Sequence, residues 1–421
     1  MSNRTLIPAE ILLPSGCDLP KWSVVACDQY TSEPEYWRQT EEFVGGSPST
    51  LRLTLPEAYL ESPDAGKRID QIGCTMQKYL DDGILGSAGR GFVYLERTLR
   101  SGAIRRGLIG AVDLEQYDFR SGSQSPIRAT EGTVLERIPP RVRVRRGAAL
   151  EVPHIMLLID DAGQTVIEPL VAAKKRFRPL YDFELMQQSG RAAGYMVDKA
   201  GESAALSALD ALADQKSFEA KYGVSDKGVL LFAAGDGNHS LATAKECFEQ
   251  IKATLPEEQW KNHPARYALV EVVNLHDAAL DFEPIHRVVF GADEGRLLAA
   301  LEKFCGACLE PCGPQTFACV TRQTERQIWV KSPSSNLAVG TLQAFLDRYT
   351  AENGGRVDYI HGEEVVRSLC ADNGNIGFLL PPMPKNELFR TVILDGALPR
   401  KTFSMGHACD KRFYLECRKI S

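Results

Sequence analysis

The chain has 421 residues, with 44% hydrophobic and 25% charged residues and a formal net charge of −6. That balance suits a folded protein with a large core and argues against a general nucleic-acid binder. No apolar run is long enough to span a bilayer, and no basic segment with an apolar stretch opens the chain, so a cytoplasmic protein without a secretory leader is expected.

In chain order, residues 22–27 read as a strand. Ser32, Glu33, Pro34 and Glu35 form a capping-box start for a helix running towards Phe43. The apolar spacing of 69–80 predicts a helix ended by Gly83. Residues 92–98 and 104–113 flank Arg100, Ser101 and Gly102 and read as a hairpin. A β-rich stretch continues through 142–144, 155–159 and 166–169. From 203 to 222 the pattern is helical; then come a strand at 229–234, a helix at 239–252 and a helical stretch near 257–261. A strand is predicted at 267–274, helices at 297–304 and 342–350, and strands at 377–380, 388–394 and 413–418. Strands and helices mix without strict alternation, which predicts an α+β fold with mixed sheets. The change of character at 198–203 suggests an N-terminal α+β domain over 1–200, β-rich from about 92, and a C-terminal α+β domain over 201–421.

The most informative segment is VLLFAAGDGNHSLATAK at 229–245. An apolar strand, a turn at Gly235, Asp236 and Gly237, and a helix with Asn238 as N-cap would present backbone N–H groups at the positive end of a helix dipole. That is an anion site, usually for phosphate. Asp236 there could hold a metal ion or accept a proton, and His239 could donate to a phosphoryl oxygen. A glycine turn kept for packing alone is the competing reading. The segment is not a P-loop, since no GK[ST] follows. Nor is it the dinucleotide fingerprint, which would need glycine where Ser240 stands.

Other groups are weaker. Arg141, Arg143 and Arg145 alternate, so in a strand they share one face, more often a solvated face than a phosphate site. Asp160, Asp161 and Glu168 surround one turn, where aspartate is common for backbone reasons. His286 offers proton transfer, Arg287 oxyanion binding and Lys401 a point charge. Of 11 cysteines most are scattered, as for reduced core thiols. Cys305, Cys308, Cys312 and Cys319 cluster, but a helix end and a strand separate them, so no structural metal is expected.

With these residues in view, the chain resembles the uncharacterised prokaryotic domain-of-unknown-function family 1015 over nearly its whole length. The segments that carry the likeness include WSVVACDQYTSEPEYW, SPSTLRL, IRATEGTVLERIPPRVRVRRG, EVPHIMLLIDD, LYDFELMQQSG, GDGNHSLATA, EPIHR, DYIHG and LPRKT. Members of that family often show D-G-H-H-R-x-x-T-A at the glycine turn. Here Asp236, Gly237, His239, Thr243 and Ala244 match, while Asn238 and Ser240 replace the first histidine and the arginine. The turn is also similar to that of the ParB-like and sulfiredoxin superfamily, which includes kinases of free serine. The resemblance implies a strand–turn–helix phosphate site in the C-terminal half. Sulfiredoxins need a cysteine where this chain has Asn238, which excludes their chemistry.

The functional expectation is a nucleotide- or phosphate-dependent phosphotransferase acting on a small polar metabolite, with a serine-like acceptor as one case. Asp236, His239 and His286 are the expected catalytic groups. Gly235, Gly237, Asn238, Ser240, Arg287 and Lys401 are the expected phosphate-binding groups, with Arg287 substituting for the arginine missing at Ser240. ATP or ADP with Mg²⁺ is the expected cofactor. A phosphatase at the same site and a non-catalytic sensor of a phosphorylated metabolite are the alternatives. Nucleic acid and membrane are not expected partners, and the oligomeric state is open.

Overall fold

The computed structural model describes residues 4–31, 33–60, 62–132 and 138–421. Ser32, expected to open a capping box, lies outside them. The chain folds into two compact units. The first comprises 1–129, 133–280 and 407–421; the second comprises 130–132 and 281–406. The division therefore does not fall at 198–203. Asp198 caps the helix Lys199–Leu212 inside the first unit, accepting the Gly201 N–H at 2.7 Å.

Strands and helices mix as the α+β reading requires. Among the described residues the first unit is built on a ten-stranded mixed sheet. Its order runs Arg178–Glu184, Arg191–Met196, Val93–Thr98, Ile104–Asp113, Tyr267–Asn274, Met156–Ile159, Phe232–Asp236, Ile127–Ala129, Tyr117–Asp118, with Leu6–Ile7 added against Ile104–Asp113. The 93–113 hairpin forms as its turn signal predicts. Period-two alternation sends Val93, Leu95, Ile109 and Leu269 into one apolar cluster and Tyr94, Leu108, Val270 and Val272 into another. The second unit holds a seven-stranded sheet centred on Gln315–Val320, Asn375–Leu379 and Phe282–Phe290. No helix among the described residues is long and apolar enough to cross a membrane.

Several local expectations are corrected. Residues 142–144 are not a strand: Ile138–Arg145 is a helix. Four-residue spacing sets Arg141 and Arg145 on one helix face, where they meet Glu57 and Glu151, while Arg143 is exposed. Residues 168–173 and 385–395 are also helices, since short apolar runs do not separate the two periods. Around 22–27 and 413–418 only bridges form, Val25 to Phe413 and Leu12 to Cys417, with a short strand Arg418–Lys419 against Leu150–Glu151. In the second unit Cys308 and Cys312, two of the four clustered cysteines, are joined in a disulfide.

One face of the first sheet buries an ion network. Arg412, 3% exposed, donates to Glu271 at 2.7 Å and to Glu416 at 2.6 Å. Glu271 is fully buried, and Arg105 lies 3.5 Å from its second oxygen. The network dictates Gly107, where a Cβ would stand 2.6 Å from Glu271 Oε1. Removing a partner from a buried pair leaves a charge without compensation and costs about 3–5 kcal/mol. Arg412→Met is therefore expected to lower the urea midpoint of the first unit by that equivalent. A change below about 1 kcal/mol would show that Arg105 alone compensates Glu271.

Candidate functional site

The strand Phe232–Asp236 ends in the expected turn and the helix Asn238–Lys252 follows. Its pairing with Met156–Ile159 slips between Ala234 and Asp236, a bulge at Gly235 that re-aims Asp236 at the end of the strand. Gly237, rather than Asn238, is the N-cap, with φ +73°. Glycine is required twice over: the conformation is left-handed, and a Cβ would stand 2.9 Å from Ile155 Cα. Asn238 is the first helical residue, and its side chain donates to the Ala234 carbonyl at 3.1 Å. Asp236 accepts the Gly237 N–H at 3.0 Å and meets Lys411 Nζ at 3.3 Å.

Because Asp236 pairs with Met156, the segment before that strand lies at the same end of the two strands. It carries His154, 4% exposed. The His154 Nδ1 is 2.7 Å from the Tyr414 hydroxyl. Its Nε2 is 3.5 Å from Asp28 Oδ2 and 3.4 Å from Ser240 Oγ. Burial alone would lower the His154 pKa, but the Asp28 charge and hydrogen bond outweigh it and raise it. Burial likewise opposes ionisation of Asp28, yet the His154 charge holds that carboxyl well below the usual range. Burial pushes the neighbouring Cys27 thiol up to about 12, so it stays protonated.

A cavity of about 140 Å³ opens here. One wall is apolar, with Leu53, Leu55, Leu60, Met76, Val144 and Leu150. The other carries His154, Tyr414, Ser240, Thr243 and the ion-paired Arg141 and Arg145. Of the expected catalytic and phosphate-binding residues, Ser240 lines this cavity. Asp236 is not in its lining, but its charge acts on His154, which is. The His239 carbonyl accepts from the Thr243 hydroxyl at 2.7 Å. Among the described residues no three His, Cys, Asp or Glu side chains are grouped to hold a metal ion.

His286, Arg287 and Lys401 belong to the second unit. Arg287 is fully buried there; it donates to Gln343 at 3.1 Å, Lys401 O at 2.9 Å, Arg400 O at 3.0 Å and the Ile285 carbonyl. Burial lowers its pKa to about 10. These bonds tie its guanidinium into its own unit rather than offering it as a phosphate clamp. His286 is 2% exposed, accepts the Leu380 N–H at 3.1 Å, and is kept neutral by burial. Lys401 is exposed, at φ +57°. Sequence reasoning missed Asp28, His154, Lys411 and Tyr414. EVPHI and the CDQY segment were noted only for their family likeness, and nothing local marks a tail residue as a site residue.

The fold and this site geometry define a two-unit α+β protein with a cavity of mixed polar and apolar lining at a helix start. Residues 12–349 match the family described as "Protein of unknown function (DUF1015)", and the chain belongs to that family. No curated protein matches it. Among solved structures it is similar to a free serine kinase in complex with AMP, at 11% identity and TM-score 0.38, covering 74% of this chain and 91% of that one. It is also similar to a conserved hypothetical protein from Pyrococcus furiosus, at 10% identity and TM-score 0.35, covering 72% and 90%. A third is SbnI with C-terminal truncation from Staphylococcus aureus, at 10% identity and TM-score 0.36, covering 71% and 82%. At such scores the functional reading rests on the residues alone.

The Asp28–His154 pair has a pH signature. Asp28, with its depressed pKa, stabilises the fold above its unfolded value near 4, and that contribution is lost as pH falls through the folded value. His154, with its raised pKa, stabilises fully below its unfolded value near 6.5, and that contribution is lost as pH rises through the folded value. The stability difference between wild type and Asp28→Asn is thus expected to peak between about pH 4 and 6.5. Chemical denaturation from pH 3 to 9 measures it; a difference independent of pH would show that the two groups are not coupled.

Proposed function

We propose that the first unit is a phosphotransferase that takes a phosphoryl group from a nucleotide or another phosphate donor to a small polar metabolite. The observation that carries this reading is the cavity at the first turn of the Asn238–Lys252 helix, with Ser240 and His154 on its polar wall. The helix start supplies a positive dipole end for phosphate. Asp236 at the bulge orients the Mg²⁺ that accompanies a nucleotide, or the acceptor hydroxyl, with Lys411 3.3 Å away as a cation for the developing charge. Since no metal-holding group of acidic ligands surrounds Asp236 among the described residues, Mg²⁺ would arrive held mainly by the phosphates. The apolar wall gives the sugar and base of a nucleotide a surface that a bare serine would not fill. A serine-like acceptor is the finer part of the proposal, and His239 at the second helical position is the expected hydrogen-bond donor to the transferred phosphoryl oxygen. His286, Arg287 and Lys401 have no part in it.

Calorimetry against ATP, ADP and pyrophosphate with Mg²⁺ tests the reading, and binding of at least one is expected. Asp236→Ala and His239→Ala should lower turnover about 100-fold or more while moving the unfolding midpoint little, because neither side chain is in the core. Absence of heat from all three ligands with folded protein would discard the phosphotransferase in favour of a sensor of another ligand.

A further inference from the structure

The cavity presents several groups that could act as nucleophiles, and their surroundings separate them. The Thr54 hydroxyl donates to the Thr50 carbonyl at 2.9 Å, and that of Thr243 to the His239 carbonyl at 2.7 Å. Cys27 is held as a thiol by burial. The Tyr414 hydroxyl is fully buried, accepts the Cys27 N–H at 3.1 Å and meets His154 at 2.7 Å. Ser240 differs: its Oγ lines the cavity and faces an imidazole nitrogen at 3.4 Å. That imidazole is held on its other nitrogen by Tyr414, and a carboxylate stands beside the nitrogen that faces Ser240. Nucleophile, base and orienting group are thus in hydrogen-bond sequence.

We propose that Ser240 is itself a phosphoryl acceptor, becoming a phosphoserine at the third position of its helix with His154 as general base. The inference rests on the phosphotransferase reading and deepens it. Ser240 Oγ attacks the terminal phosphorus of a bound nucleoside triphosphate. The new O–P bond forms as the bond to the nucleoside diphosphate breaks, and the electron pair leaves on the diphosphate. The hydroxyl proton passes to His154 Nε2. Asp28 Oδ2, 3.5 Å from that nitrogen, stabilises the imidazolium that results. The phosphate so formed sits in the first helical turn, where the backbone dipole favours added negative charge. Arg141 and Arg145 line the same cavity. An acyl-transfer triad fits less well: its carboxylate would hold the far ring nitrogen, which here faces Tyr414. His154 must enter the step unprotonated. Since Asp28 raises its pKa, labelling should accelerate as pH rises through that raised value.

The full chain is incubated with Mg²⁺ and ATP labelled at its terminal phosphate, quenched in acid, digested and mapped by mass spectrometry. Binding of ATP is measured in parallel by calorimetry, and folding of Ser240→Ala and His154→Gln by circular dichroism. The expected result is one phosphoryl group on the peptide carrying Ser240, none in Ser240→Ala, and labelling about 100-fold slower or less in His154→Gln. ATP binding without label on Ser240, or equal label in Ser240→Ala, overturns this inference and leaves the proposed function standing. No ATP binding overturns this inference, and no heat from ATP, ADP or pyrophosphate overturns the proposed function with it. Wild-type labelling that does not change between pH 5 and 9 overturns the role of His154, even where His154→Gln fails to fold.

Discussion

The first unit depends on a charge that cannot be left alone. Glu271 lies on a central strand with none of its surface exposed, and a carboxylate there is tolerable only with a cation in contact. Arg412 supplies it from the last part of the chain. The tail is then fixed by its neighbours: Trp22 donates to the Leu415 carbonyl at 3.1 Å, and Ser23 to the Tyr414 carbonyl at 2.8 Å. Once Arg412 is placed, Lys411 falls beside Asp236 and Tyr414 beside His154. The packing link and the chemical link are therefore one segment.

The cavity and the polar groups linked to His154 and Ser240 join contributions of unlike origin. The strand–bulge–helix unit gives Asp236, the fixed N-cap glycine and Ser240. The entry to Met156–Ile159 gives His154, an early irregular segment gives Asp28, and the tail gives Lys411 and Tyr414. Each group is polar, mostly buried and matched to a neighbour of opposite charge or hydrogen-bonding sense. A cavity with such a rim and an apolar floor can hold the charged end of a ligand in one orientation.

What could be read from the sequence follows from the range of the interactions concerned. The strand, glycine turn and helix at 229–252 were legible because turn, cap and helix are set by neighbouring residues. The 93–113 hairpin was legible for the same reason. Arg141, Arg143 and Arg145 alternate as a strand would, but Glu57, distant in sequence, and the nearer Glu151 reward a helix with Arg141 and Arg145 on one face. His286 and Arg287 looked like site residues because histidine and arginine are chemically versatile. In the fold both satisfy backbone groups of the second unit. Asp28 meets His154, and His154 meets Tyr414, across long stretches of chain, and no local pattern encodes such a meeting.

The interrupted course of the first unit bears on its synthesis. The strands of its ten-stranded sheet are all made by residue 274, but Arg412, Lys411 and Tyr414 follow only after the second unit's 281–406. During translation Glu271 therefore waits without its main counter-charge, and His154 without its hydroxyl partner. A nascent chain at that stage can collapse but lacks Tyr414 from the cavity lining, so the cavity is completed only when residues 407–421 have left the ribosome.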